Sequence, residues 1–271
     1  MKKRLLTVVI TLFLLTGLSL LLYPTLSNYW NSIHQSKAIA GYVKTVVTLS
    51  DDDYAQCWAD AQAYNQDLLK KQARFFPTAE ELEEYEGLLN VSQNGIMGYV
   101  EIPKIGCLLP IYHGTDEAVL EIAAGHIVGT SLPVGGSGTH CVLSGHRGLP
   151  SAKLFTNLDR LSEGDRFMLH VLNETLTYQV DQILVVLPEE IEALEIEKDA
   201  DYCTLVTCTP YGVNTHRLLV RGHRIETVTE KEEEALPAIE SSSMPSKRDM
   251  WWLLAGIMVI FVVFASVSKR E

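Results

Sequence analysis

Two nearly unbroken apolar runs, Leu5 to Tyr23 and Trp251 to Val267, bracket a chain whose interior is patterned in short apolar and polar stretches. Each run is close to the ~20 residues a helix needs to cross a bilayer. Lys2, Lys3 and Arg4 precede the first, and Lys269 and Arg270 follow the second. Basic residues on the outer flank of each run predict that both termini are cytoplasmic and that everything between them is outside. The first run is long for the core of a cleaved signal peptide, and no small-x-small site follows it cleanly, so an uncleaved anchor is expected. The second follows Ser241-Ser242-Ser243 and Pro245 and ends in a basic tail, which favours a membrane span over a buried core helix. The predicted division is a cytoplasmic tail 1–4, a span 5–23, an outer region, a linker 227–249 opening on the charged Glu230–Glu234, a span 250–267 and a tail 268–271.

The outer region has two characters. Residues 28–49 read as helical or irregular, with Trp30, Ile33 and Ile39 as packing positions. Asp51–Lys71 reads as an amphipathic helix. Its three aspartates suit a helix N-terminus, and Tyr54, Trp58, Ala61 and Leu68 fall near one face. Asp51-Asp52-Asp53 is thus a solvated first turn rather than a calcium site. Thr78-Ala79-Glu80-Glu81 has the capping-box pattern and predicts a helix from Ala79 to about Leu89. From Gly95 onward, β-rich runs alternate with Gly and Pro turns: Met97–Ile102, Cys107–Tyr112, His140–Leu143, Arg166–Val171, Leu176–Val186, Tyr202–Thr207 and Arg217–Ile225. Seven or eight short strands predict a mainly β barrel or sandwich over 95–226, preceded by a helical extension over 28–94.

Composition narrows the class. A chain of 271 residues with 47% apolar content can build one sizeable domain plus appendages. A net charge of -12 argues against nucleic acid as a partner. The five cysteines show no metal-ligand spacing and no CxxC, and an odd number outside the cytoplasm leaves at least one free thiol. No cofactor or metal is expected.

The chemistry gathers around Cys208. Thr204 to Pro210 reads as a strand delivering a thiol to its own end. Pro210, Gly212 and Asn214 form a loop, and the return strand starts at Arg217. A symmetric hairpin sets Cys208 across from Arg217 and Arg221 across from Thr204, with side chains of each pair on one face. A nucleophilic thiol needs a proton-transfer partner. His146, in Gly145-His146-Arg147-Gly148, leaves a β-rich run into a Gly/Pro turn. His126 has a similar Gly-His setting without the strand-end context. His140, His216 and His223 sit in or beside strands. On residues alone, a surface arginine and a buried cysteine remain an alternative reading.

Several segments resemble the sortases, membrane-anchored cysteine transpeptidases of Gram-positive bacteria, and in particular class C, the pilus-building group. They are Gly98 to Ile105, Leu109 to Thr115, Ser131 to Gly136, Thr139 to Leu154 and Thr204 to Arg224, with the resemblance dense over roughly 95–226. It implies an eight-stranded sortase β-barrel with an N-terminal helical extension and two transmembrane helices. It further implies catalysis by Cys208, His146 and Arg217, with Thr207 shaping the oxyanion or substrate site. The implied reaction cleaves an LPxTG-like sorting signal through a thioacyl intermediate and joins it to a lysine amine of another pilin. The implied partners are pilins and the membrane, and the implied location is the cell membrane with an extracellular catalytic domain. Attachment of surface proteins to peptidoglycan, or a tethered scaffold that binds sorting signals without turnover, are the alternatives. Many pilus sortases carry a lid with an Asp-Pro-aromatic motif. Here no such tripeptide occurs, and the corresponding segment 73–84 offers Phe75-Phe76-Pro77, either a variant plug or side chains packing the extension onto the barrel.

Overall fold

The computed structural model describes residues 2–71 and 73–227. The second apolar run 251–267, the predicted linker after Thr227 and the tail 268–271 lie outside the described residues, so only the first of the two expected spans can be placed.

The extension is three helices. α1 spans Lys2–Val47 as one continuous helix, and it is the only described helix long and apolar enough to cross a membrane. Residues 28–49 are therefore helical up to Val47 rather than irregular. Ile39 is buried as expected, but Trp30 is 65% exposed and packs nothing into the core. α2, Asp51–Leu68, starts at an N-cap where Ser50 accepts from the Asp53 amide. It ends three residues before the expected Lys71, because Lys70 and Lys71 turn back onto Asp67 and Leu68 in tighter three-residue bonds. Asn65 docks α2 on the domain, exchanging two hydrogen bonds with the backbone of Leu132. α3, Ala79–Gly87, begins at the capping box of Thr78 and Glu81. It stops short of Leu89, whose φ of +56° is left-handed and cannot continue a helix.

The domain is a closed eight-stranded barrel. Its strands are β1 Ile96–Ile102, β2 Cys107–His113, β3 Ala124–His126, β4 Thr139–Ser144, β5 Arg166–Val171, β6 Glu174–Val186, β7 Asp201–Thr209 and β8 His216–Ile225. They close in the order β1-β2-β3-β4-β7-β8-β6-β5. β2–β3 and β4–β7 are parallel pairs, and the others are antiparallel. Alternation fills the inside: Phe167, Leu169 and Val171 from β5 meet Leu176, Tyr178 and Val180 from β6, with the Phe167 and Tyr178 rings stacked at 5.6 Å. β3 is the strand the sequence pattern did not announce. It has three residues, and its middle one is glycine because a Cβ at Gly125 would sit 2.3 Å from the Gly114 carbonyl.

Candidate active site

β7 and β8 pair with Cys208 opposite Arg217 and Thr204 opposite Arg221, the register of the symmetric hairpin. β4 lies on the other side of β7, with Val142 beside Thr204 and Ser144 beside Val206. Gly145 extends that ladder, donating its amide to the Val206 carbonyl at 3.0 Å. His146 therefore leaves β4 at the level where β7 reaches Cys208. Since successive side chains alternate, Val142 and Ser144 share a face with Thr204, Val206 and Cys208, and with Leu219 and Arg217. This face points away from the barrel core, which is filled by Cys141, Leu143, Cys203, Leu205, Leu218 and Val220. Val142, Val206 and Leu219 join Leu194 from the β6–β7 connection in a second apolar cluster, edged by Ile127, Leu184 and Val186. Cys208 is the next position along β7 beyond that apolar floor.

Cys208 and Arg217 thus face each other on adjacent strands, and His146 follows two residues after the end of β4, level with Cys208. Among the described residues, neither the Cys208 thiol nor the His146 ring has a hydrogen-bond partner. Arg217 turns one Nη toward the carbonyls of Asn214 at 3.2 Å and His216 at 3.1 Å, which ties the guanidinium to its own hairpin. Gly145 has no room for a side chain: a Cβ there would lie 2.6 Å from the fully buried Phe155 ring. The amide of Phe155 returns to the His146 carbonyl at 3.1 Å, closing the loop that follows the histidine.

Thr207 lies on the inward face of β7. It is 2% exposed, and its hydroxyl donates to the Gly145 carbonyl at 2.7 Å. That hydroxyl holds the backbone before His146. Arg147 is a residue that sequence reasoning passed over. Its side chain is ion-paired with Asp159, donates to Thr209 Oγ1 at 3.3 Å and lies over the Tyr211 ring at 5.9 Å. It joins the loop after His146 to the end of β7 and to the β7–β8 loop. Only its neighbourhood to His146 could have suggested this.

His126 and His140 are held inside the fold. His126 does end a strand, contrary to expectation, but it is fully buried, bonded to the Tyr85 hydroxyl at 2.9 Å and the Ser131 carbonyl at 2.9 Å. His140 bridges the Glu195 carbonyl at 2.8 Å and Thr204 Oγ1 at 2.7 Å. Burial lowers its pKa, with the Glu195 bond opposing and the Arg221 and Arg74 charges adding to the effect. Three of the remaining thiols are poor nucleophiles: burial pushes Cys107 up to about 12 and Cys203 well above its ordinary value, and raises Cys57, whereas at Cys141 burial is outweighed by hydrogen bonds with Cys203 and His126, which lower its pKa. Cys141 sits beside Cys203 in register and is wholly enclosed.

The segment 73–84 lies against the barrel. Phe76 is 84% exposed and covers nothing, while Phe75 is half-buried beneath the Arg74 guanidinium, 4.6 Å from its ring centroid. Arg74 fastens the segment to the β6–β7 connection through Glu195 at 2.8 Å and the Leu194 carbonyl at 3.0 Å. A Cβ at Gly129 would collide with the Arg74 carbonyl at 2.3 Å, so the segment also needs that glycine.

Residues 100–225 match the model of the sortase domain. Sortase C1 from Streptococcus agalactiae is 49% identical, with a TM-score of 0.69 over 71% of this chain and 100% of that one. The Streptococcus pneumoniae sortase C, described for catalysis and pilin substrate specificity, is 43% identical with a TM-score of 0.64 over 72% of this chain and 100% of that one. Sortase D of Bacillus subtilis is 30% identical over 131 residues, covering 47% of this chain and 63% of that protein, less than two thirds of its length.

Proposed function

Since the chain belongs to the sortase family, we propose that it is a membrane-anchored cysteine transpeptidase that builds pilin polymers, with Cys208, His146 and Arg217 as its catalytic residues. The observation that carries the site is the register of three neighbouring strands, which brings the end of β4, Cys208 in β7 and Arg217 in β8 to one edge of one sheet face. The pilus reading is supported by the likeness to class C sortases.

The thiolate of Cys208 attacks the Thr carbonyl of an LPxTG-like signal, and the tetrahedral oxyanion faces Arg217, whose charge is permanent. The C–N bond to Gly breaks as His146 gives its proton to the leaving amine, and a thioester remains on Cys208. A pilin lysine amine then attacks the thioester and loses a proton to His146. The thiolate leaves, and an isopeptide bond joins the two subunits. Val186, half-buried and paired with Arg217 across β6 and β8, and Leu184 leave apolar surface beside the site that suits the apolar side chains of the signal. The apolar run of α1 serves as the anchor, with the N-terminus inside and the barrel outside.

The test is incubation of the full chain with an LPxTG peptide and a pilin carrying candidate lysines, followed by mass spectrometry. The expected result is a thioacyl adduct on Cys208 and an isopeptide product, both absent in Cys208→Ala. An adduct resolved only by cell-wall precursor amine would move the acceptor to peptidoglycan. No adduct and no product would leave a binding scaffold.

A further inference from the structure

α1 connects its apolar run to the barrel with no intervening linker. Asn28, Asn31, Gln35, Ile39, Tyr42 and Val46 recur at spacings of three and four, the period of one helix face. That face is bound along its length. Asn28 Oδ1 accepts from the Lys153 amide at 2.9 Å, and Asn31 Nδ2 donates to the Ser151 carbonyl at 2.9 Å. Gln35 Nε2 donates to the Ile122 carbonyl at 2.7 Å. Ile39 and Tyr42 are buried, and the Tyr42 hydroxyl donates to the Met97 carbonyl at 2.9 Å and accepts from the Leu172 amide at 2.7 Å. A helix held over about five turns cannot swing freely against the domain it carries.

The first two of these anchors, Asn28 and Asn31, hold the loop that leaves His146. The same loop abuts the other wall of the site, since a Cβ at Gly148 would lie 3.1 Å from the Tyr211 ring. The mouth of the site is therefore at the end of the bound face nearest the apolar run. At ~1.5 Å of rise per residue, Asn28 and Asn31 stand only about 7.5 and 12 Å beyond Tyr23 along the axis. A headgroup layer is itself roughly 5–7 Å deep. At this level the exposed side chains are of the kind that favours membrane interfaces: Tyr23 at 54%, Tyr29 at 38% and Trp30 at 65% on α1, and Tyr211 at 60% and Val213 at 65% beside the site. Lys153 is exposed on the clamped loop.

We propose that α1 is a rigid stalk that lays the mouth of the active site on the outer headgroup layer of the bilayer, fixing Cys208 at the height of segments that emerge from the same membrane. The inference rests on the reading of Cys208 as the nucleophile, and it adds the lipid surface as a partner of the mouth itself. A substrate anchored in the same bilayer then meets the thiol directly above its own span, while bulky soluble molecules are kept away by the lipid.

Two measurements on the full chain in phosphatidylcholine–phosphatidylglycerol nanodiscs test it. The first compares the natural chain with a variant carrying seven helix-forming residues inserted between Thr25 and Leu26. The insertion lifts the barrel by about 10 Å with almost no change of helical phase. Alkylation of Cys208, read by peptide mass, is expected to be at least about fivefold faster in the variant with a 5-kDa polyethylene glycol maleimide, and within about twofold for iodoacetamide. Equal rates with the large reagent would overturn the proposal. The second needs no variant: a phospholipid with a photoreactive headgroup is expected to mark residues 147–153 and 211–213 and to leave 51–56 unmarked. Marking of 51–56 as strong as that of 211–213 would also overturn it. Neither measurement needs turnover, so failure of the transpeptidase reading shows separately, as the lack of an acyl adduct with LPxTG peptide.

Discussion

The hydroxyl of Thr207 donates to the carbonyl of Gly145 at 2.7 Å, so the residue before Cys208 is bonded to the residue before His146. Both partners are buried. One hydrogen bond between the parallel strands β4 and β7 thus sets the spacing of the two candidate catalytic side chains without touching either. Thr207→Val keeps the shape and leaves the Gly145 carbonyl without this donor, at a cost of about 1–3 kcal/mol. Turnover of an LPxTG peptide is expected to fall on the order of tenfold or more through kcat, because misplacement of reacting groups acts on the chemical step. Thr207→Ser is expected to restore most of it, and equal loss in both variants would show that the bond is not what matters.

Gly145→Ala places a methyl group 2.6 Å from the Phe155 ring, which is itself fully buried. Overpacking of this kind costs about 1–3 kcal/mol. Relief by moving the backbone would displace His146. The expected outcome is a lower thermal midpoint together with a loss of activity larger than that midpoint shift explains, measured by calorimetry and peptide turnover on one preparation.

Arg217 rests one Nη against two carbonyls of its own hairpin, and a lysine, with a single nitrogen, cannot hold them and also present a second donor to the substrate. Arg217→Lys is expected to lower kcat/KM on the order of a hundredfold while Cys208 remains alkylated by iodoacetamide at a similar rate. Near-normal kcat/KM would contradict a role that depends on guanidinium geometry.

His140 is held neutral. Burial is the main cause, the charges of Arg221 and Arg74 act in the same direction, and the Glu195 carbonyl bond and the Glu197 charge oppose them. A base whose folded pKa is depressed contributes full stability above its ordinary value of 6.5, and that stability is lost as pH falls below it toward the folded value. His113, also lowered mainly by burial, adds to the same trend. The thermal midpoint is expected to drop as pH falls from 7 to 5, and His140→Gln should be less stable at pH 8 but show a shallower acid slope. An unchanged slope would locate the acid sensitivity elsewhere.

Arg74 and Phe76 make opposite predictions for the segment 73–84. Arg74→Ala removes the bonds to Glu195 and Leu194, and faster hydrogen exchange is expected in 73–78 and 187–195. Phe76→Ala removes a ring that is 84% exposed, and Cys208 alkylation is expected to stay within about twofold of the natural rate. A strong acceleration in Phe76→Ala would show that this ring does shield the thiol.

Local signals read well from the chain. The capping box at Thr78 and Glu81 starts α3 because its hydrogen bonds join residues three apart, and the Cys208–Arg217 register follows from one symmetric hairpin. Legibility failed where a partner distant in sequence decided the outcome. β3 pairs with β2 and β4, and nothing in Ala124-Gly125-His126 itself signals a strand. His126 shares the Gly-His setting of His146 in sequence, and only Tyr85, 41 residues away, bonded to its ring, marks it as structural. Alternation puts Thr207 on the face opposite Cys208, but its partner was not legible, because only the pairing of β7 with β4 brings the Gly145 carbonyl to its hydroxyl.

From the sequence alone, this protein is determined to carry an apolar N-terminal helix, a β-rich domain and a thiol facing a guanidinium across a hairpin. These depend on hydrophobic period, turn residues and pairing between near neighbours in the chain. The tertiary structure decided which histidine stands at the level of the thiol, because the parallel pairing of β4 with β7 joins residues about 60 apart. It also decided that the membrane-side helix grips the very loop that leaves His146, through Asn28 and Asn31. Polar side chains on a helix look solvated in sequence, and only closure of the barrel against α1 supplies the backbone groups they bind.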